Sequence, residues 1–156
     1  MAVGLLDLAH ANTELHGAAL RHLQRLVASW QPLADLCFAD LLALAPVEGE
    51  EAHRFLVLAH VRPVTGQTLY PAELVGSVVQ EVERPLVARA WRKREIVGGD
   101  ATVIGSSERA RTECIPLMLQ DTPIAVVARD GPTASGRRQG ELERIYMDVF
   151  ERFARM

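Results

Sequence analysis

The stretch from Arg109 to Gly131 constrains this chain more than any other, because it reads as two successive strands with apolar residues on both of their faces. The first runs from Thr112 to Leu119 and the second from Ile124 to Arg129, joined by the turn Gln120, Asp121, Thr122 and Pro123. Pro123 opens the second strand where its missing N–H falls at the turn rather than inside the ladder. In the first strand Cys114 and Met118 alternate with Ile115, Leu117 and Leu119; in the second, Ile124, Val126 and Ala128 alternate with Ala125 and Val127. A strand with one wet face alternates apolar with polar, so this pattern predicts a sheet centre covered on both sides. Helices are expected on one side and helix or loop on the other, and the second cover is where a ligand pocket could form.

The bulk numbers narrow the class. A chain of 156 residues with 49% hydrophobic content suits one domain with a substantial core. Its 17 Lys+Arg against 20 Asp+Glu lack the basic excess of nucleic-acid binders, so no nucleic-acid partner is expected. Met1 to Leu8 carries no Lys or Arg and meets Asp7 early, unlike a signal peptide. No window approaches the roughly 18 uninterrupted apolar residues of a membrane span. The expectation is a soluble, cytoplasmic protein. Cys37 and Cys114 belong to no CxxC pair, which predicts buried, reduced thiols rather than a zinc or redox site.

Taken in order, Asn12 and Thr13 read as an N-cap before an amphipathic helix with Ala19, Leu23, Leu26, Val27 and Trp30 on one face. Pro32 marks a break before a short segment through Phe38. A hairpin follows, Leu41 to Val47 and Arg54 to Val61, around the turn Glu48, Gly49, Glu50 and Glu51. Arg62 to Gly76 is rich in turn formers and reads as a structured loop. Pro85 to Arg94 reads as a helix with Leu86, Val87, Ala90 and Trp91 on one face, ended by Gly98, Gly99 and Asp100, with a loop and at most one short edge strand up to Glu108. From about Gly140, Leu142, Ile145, Tyr146, Val149, Phe150 and Phe153 recur at helical intervals to the end of the chain.

This order, together with WQPLADLCFADLLALAP from Trp30, RPVTGQTLYPAELVG from Arg62, RPLVARA from Arg84 and RRQGELERIY from Arg137, resembles the N-terminal GAF-type sensor domain of a family of soluble two-component histidine kinases. The resemblance spans nearly the whole chain. It implies an α+β fold: an antiparallel sheet of about five or six strands with helices on both sides, the N- and C-terminal helices packed together. It also implies a single domain over residues 1–156, the N-terminal fragment of a larger kinase, acting as a signal-input domain, working as a homodimer and followed by PAS and kinase domains. The chain itself has no phospho-acceptor histidine box, ATP site or Gly-rich lid, so it is not expected to be an enzyme.

The candidate sites follow from that picture. His10, His16 and His22 are spaced so that no two neighbours share a helix face, while His53 and His60, seven apart, are expected on opposite faces of a strand, so no metal site is expected. Neither haem nor a bilin is supported, and no cofactor is expected, because Cys114 lies between Glu113 and Ile115 with no His beside it. Arg84, Arg89, Arg92, Lys93 and Arg94 read as the solvated face of a helix, the alternative being a phosphate contact for a cyclic nucleotide. If a pocket takes an unidentified small molecule, loop, helix and strand would line it with Tyr70, Leu74, Trp91, Arg94, Cys114 and Met118. The dimer face is expected at Leu23, Leu26, Leu142, Ile145, Val149 and Phe153. A ligand-free structural domain that only pairs or spaces its neighbours is the other reading.

Overall fold

A computed structural model describes residues 4–37, 39–49, 53–64, 68–131 and 141–155, with the side chains of residues 36, 37 and 141–143 outside the description. Cys37, Leu142, Arg137 and the turn residues Glu50 and Glu51 therefore carry expectations that lie outside the described side chains. The elements are α1 (Leu5–Asn12), α2 (Gly17–Ala28), α3 (Gln31–Cys37), β1 (Asp40–Pro46), β2 (Arg54–Val61), β3 (Val78–Gln80), α4 (Pro85–Lys93), β4 (Val97–Thr102), β5 (Arg109–Leu119), β6 (Thr122–Gly131) and α5 (Glu141–Ala154). The strands form one six-stranded sheet in the order β3-β2-β1-β6-β5-β4. Every neighbouring pair is antiparallel.

The doubly apolar strands are central, and two cores result. One face packs Leu41, Ala43, Leu58, Ile115, Leu117 and Val127 against Leu20, Leu23 and Leu26 of α2, Leu33 of α3 and Met147 and Phe150 of α5. The other packs Leu42, Leu44, Phe55, Val57, Cys114, Val126 and Ala128 against Val87, Ala88 and Ala90 of α4, with Tyr70 and Val103 from the connecting segments. Helices thus cover the first face, and α4 with two irregular segments covers the second, the α+β arrangement that the resemblance implies. The terminal regions meet where the His22 ring lies 4.9 Å from that of Phe153.

Several local expectations change. The β5–β6 turn is two residues long: Gln120 and Asp121 both have positive φ, 50° and 66°, the backbone of a tight hairpin turn whose twist matches its strands. Pro123 therefore sits within β6, opposite Met118, and the register slips by a bulge between Leu117 and Met118. Helix α1 precedes the predicted start, and Asn12 and Thr13 end it instead of capping α2: the Asn12 amide and the Thr13 hydroxyl donate back to the carbonyls of Leu8 and Ala9. The three-residue strand β3 follows the stretch read as loop and was not anticipated, and the Gly-rich stretch 97–102 is a six-residue edge strand.

Leu23 and Leu26 are corrected as dimer-face residues. They are 0% and 1% exposed, because α2 lies flat on the sheet and needs its whole apolar stripe for the first core. Phe153 is half-buried against the same core. Ile145 and Val149 remain 51% and 60% exposed on the outer side of α5, beside Tyr146.

Candidate functional site

On the second face, three residues stand side by side across neighbouring strands. Asp40 of β1 is opposite Asp130 of β6, which is opposite Thr112 of β5. Cross-strand partners have Cβ atoms only about 5 Å apart, and two carboxylates placed so, away from water, repel unless each is separately neutralised or hydrogen-bonded. Asp130 is 0% exposed and takes Arg84 as a two-pronged partner, Nη1 to Oδ1 at 3.0 Å and Nη2 to Oδ2 at 2.5 Å. The Tyr70 hydroxyl donates to Oδ2 at 2.5 Å and the Thr112 hydroxyl to Oδ1 at 2.7 Å. The third Arg84 nitrogen, Nε, donates to the Thr102 carbonyl at 2.9 Å. A planar guanidinium with five fixed donors suits such a buried fork; a lysine would not replace it.

Asp40 is handled differently. His60 Nε2 lies 3.0 Å from its Oδ1, the Thr68 hydroxyl donates to Oδ1 at 2.6 Å, and the Leu69 N–H to Oδ2 at 2.9 Å. The other imidazole nitrogen, Nδ1, accepts the Leu74 N–H at 3.2 Å. An Nδ1 that accepts carries no proton, so the ring is neutral with its hydrogen on Nε2, aimed at Asp40. The segment 68–77, which has no helix or strand, is thus strapped across the sheet at Thr68, Leu69, Tyr70 and Leu74. It is tied again at its far end by the Gly76 N–H to the Val57 carbonyl, 2.8 Å.

Beneath the strap the Tyr70 side chain is 1% exposed, its ring edge-on to His60 at 5.4 Å and 87°. Its hydroxyl also accepts from Arg84 Nη2 at 2.9 Å and from the Ile104 N–H at 3.3 Å. Burial, and then the Asp130 charge, raise the Tyr70 pKa, so the phenol keeps its proton. For Arg84 burial disfavours the charge, but the hydrogen bonds and charge of Asp130 outweigh it and hold the pKa above its ordinary value. Cys114, two residues from Thr112 on the same face, is pushed up to about 12, by burial first and by Asp130 second, which makes it a poor nucleophile.

The opposite faces of the same strands carry a second charged group. Glu113 and Arg129, each one residue from the row above, are direct cross-strand partners pointing at α5, with Arg129 Nη2 3.6 Å from Glu113 Oε2. Glu151 of α5 has its pKa raised by burial, by Glu113 and by Asp148, against the pull of Arg129 and Arg155. The helix that packs on β5 and α3 therefore meets the charged pair directly behind the strap's anchor.

Of the six expected pocket residues, the structure gathers four. Tyr70 and Cys114 lie inside the second core, with Leu74 and Trp91 packed on its margin. Arg94 does not join them: it ends α4 with φ 58° and donates to the Asp121 carbonyl at 3.2 Å. Met118 lies at the bulged end of β5. Trp91 and Arg94 instead share an open cleft of about 1050 Å³ at the hairpin end of the sheet, with Pro46, Pro123 and the start of α2. Arg84, read as part of a solvated helix face, is corrected: it precedes α4 and is 1% exposed, because the Asp130 carboxylate needs a buried cation. Arg89, Arg92 and Lys93 are exposed as expected. His60 is buried and structural.

Sequence reasoning passed over Asp40, Thr68, Thr112 and Asp130, and it weighed Arg84 and His60 only for other roles. One signal was present, since an acidic residue inside FADLLALA and another inside VVARDG stand in runs otherwise bound for the interior. Among the described residues no group of three His, Cys, Asp or Glu is placed to hold a metal, and no helix is long and apolar enough to cross a membrane.

Residues 5–149 match the family model described as histidine kinase PdtaS, GAF domain. The chain is 34% identical over 146 residues to the sensor histidine kinase PdtaS of Mycobacterium tuberculosis (strain H37Rv), covering 90% of this chain and 28% of that protein. It is 31% identical to PdtaS of Mycolicibacterium smegmatis, again over 146 residues, covering 91% of this chain and 28% of the relative. Among solved structures it is similar to the sensor region of a sensor histidine kinase, with a TM-score of 0.72 and 33% identity over 99% of this chain and 52% of that one. The second GAF domain of DevS from Mycobacterium smegmatis shares the fold at a TM-score of 0.55 and 17% identity, covering 87% of this chain and 90% of that one. The chain spans little more than a quarter of the length of the curated relatives it matches.

Proposed function

The chain belongs to the PdtaS histidine kinase GAF-domain family, a family of sensor domains, and from that premise we propose that residues 1–156 act as one signal-input domain of a larger cytoplasmic histidine kinase. In this reading PAS and kinase segments follow it, phosphate transfer belongs to them, and the strapped face is where input is received. The observation that carries the reading is the back-to-back placement on β5 and β6. Asp130, braced by the Thr112 hydroxyl, holds the strap through the Tyr70 phenol, while the chain neighbours of these two residues, Arg129 and Glu113, face α5. Successive side chains of a strand point to opposite faces, so a strap change that displaces the β6 backbone at Asp130 is carried to Arg129 on the α5 side. Helix α5 then meets a different charge arrangement, and its exposed Ile145, Tyr146 and Val149 pass the change to a second copy of the chain.

Two measurements test this reading. In a full-length kinase carrying this domain, Tyr70→Phe should change the autophosphorylation rate by about fivefold in either direction, a typical coupling between sites. An unchanged rate with a demonstrably loosened strap counts against it. In light scattering, the wild-type domain should associate at high concentration and Val149→Glu should stay monomeric; a strict wild-type monomer removes the paired relay.

A further inference from the structure

The phenol of Tyr70 is bound as a ligand would be. Its oxygen gives one hydrogen bond, to Asp130, and receives two, from Arg84 and the Ile104 N–H, the full capacity of a hydroxyl. Its ring is met by His60 on edge. None of these receiving groups belongs to the strap: Asp130 and His60 are on β6 and β2, Arg84 precedes α4, and Ile104 follows β4. Tyr70 alone comes from the strap, whose other fastenings, at Thr68, Leu69, Leu74 and Gly76, use Asp40, His60 and Val57 and do not need the phenol.

We propose that this chamber is a binding site for small neutral phenols, and that Tyr70 is its tethered resident, which a free phenol displaces. The inference rests on the reading of the strapped face as the input site and adds the chemistry of what enters there. The polarity of the chamber sets the ligand class. Arg84 is committed to Asp130 in a two-pronged pair, and the neighbouring Asp40 adds a further buried carboxylate, so the chamber offers no uncommitted positive charge to hold a carboxylate or phosphate. It does present one acceptor and two donors around a single oxygen position, which an aryl hydroxyl satisfies and a plain hydrocarbon leaves unpaired. The raised pKa of the resident phenol agrees with a site that takes the neutral form.

Displacement is a competition between a free ligand and a tethered one. A side chain on a short strap has an effective concentration in the millimolar range, so wild-type affinity is weakened relative to an empty chamber by at least about tenfold. The probe is 4-methylphenol, the Tyr side chain itself, with toluene as the control that lacks the hydroxyl. Binding to wild type and Tyr70→Ala is followed by titration calorimetry and by amide NMR signals. Tyr70→Ala should bind 4-methylphenol at least about tenfold more tightly than wild type does, and toluene at least about tenfold more weakly than 4-methylphenol. In the wild type, 4-methylphenol should shift the Ile104 amide and move the Tyr70 ring signals toward solvent-exposed positions. Equal binding of toluene and 4-methylphenol overturns the proposal, as does a folded Tyr70→Ala that binds neither. A wild type whose Ile104 amide stays fixed up to a hundred times the variant's dissociation constant also overturns it, since Tyr70 is then a permanent part of the core. Should Tyr70→Ala not fold, the wild-type arm decides alone: a shift of the Ile104 amide with 4-methylphenol but not with toluene supports the proposal, and an amide that stays fixed up to the solubility limit of 4-methylphenol overturns it. Phenol binding without any change in α5 amides would retain this inference and remove the relay; no binding, with α5 responding to Tyr70→Phe, would do the reverse.

Discussion

Asp40 and Asp130 face each other across β1 and β6, both wholly buried, and between them they hold three consecutive residues of one strap: Asp40 takes the Thr68 hydroxyl and the Leu69 N–H, and Asp130 takes the Tyr70 phenol. The two carboxylates are kept from mutual repulsion by unlike partners, a neutral imidazole donor for one and a guanidinium fork for the other. Their shared task explains why a polar row interrupts an otherwise apolar sheet face. Without it the irregular segment 68–77 would lose its ties at Thr68, Leu69 and Tyr70 and keep only those at Leu74, Gly76 and Ser77.

Arg84→Met should be strongly destabilising. It leaves Asp130 buried with no cation, and breaking a buried pair from one side costs about 3 to 5 kcal/mol. Arg84→Met combined with Asp130→Leu should recover at least about 2 kcal/mol of that loss, since the stranded charge goes with its partner. Urea unfolding of the two variants checks the order.

His60→Leu removes the acceptor for the Leu74 N–H and one donor to Asp40. A loss of about 1 to 3 kcal/mol is expected. The effect should be local in hydrogen exchange: the Leu74 amide should lose protection before the amides of β2 do, because the strap loses a tie while the strand keeps its ladder.

Stability should also fall as the medium turns acidic through the histidine range. His22 is buried with its Nε2 unpartnered, and its pKa is lowered, by burial first and by Arg25 in addition, against an opposing effect of the Met118 main chain. A depressed folded-state pKa means that the unfolded chain takes up the proton first. The contribution is therefore complete above the ordinary histidine value of about 6.5 and is lost as the pH drops below it. Thermal melts of His22→Phe should vary less than wild type between about pH 7 and pH 5.

Asp121→Gly should stabilise the domain. Asp121 holds φ 66° in the two-residue β5–β6 turn, a conformation that glycine adopts without steric strain. A gain of about 0.4 to 1 kcal/mol follows if relief of strain outweighs the added freedom of the unfolded chain, and a rise in melting temperature registers it.

The frame of the fold was legible in the sequence where burial leaves a period. Both-faced apolar strands at 112–119 and 124–129 located the sheet centre, and the three-to-four spacing from Ile145 to Phe153 located α5. The turn formers of 62–76 made a structured loop legible, and Tyr70 of that loop shares a buried core with Cys114 of β5. The clamp itself was missed because its members lie far apart along the chain: 46 residues separate Arg84 from Asp130 and 60 separate Tyr70 from Asp130. No local pattern links them, and an arginine beside other basic residues looks solvated until its partner is known. Leu23 and Leu26 misled for a related reason, since an amphipathic stripe shows that a helix is covered but not by what.

The central claim is that the strap and α5 are linked through β5 and β6. Amide hydrogen exchange of wild type against Tyr70→Phe, which removes a single oxygen from the clamp, tests it most directly. The linkage predicts faster exchange at Leu69, Leu74 and Ile104 together with altered protection along α5. Faster exchange confined to the strap and its neighbours, with α5 the same in both proteins, would contradict it.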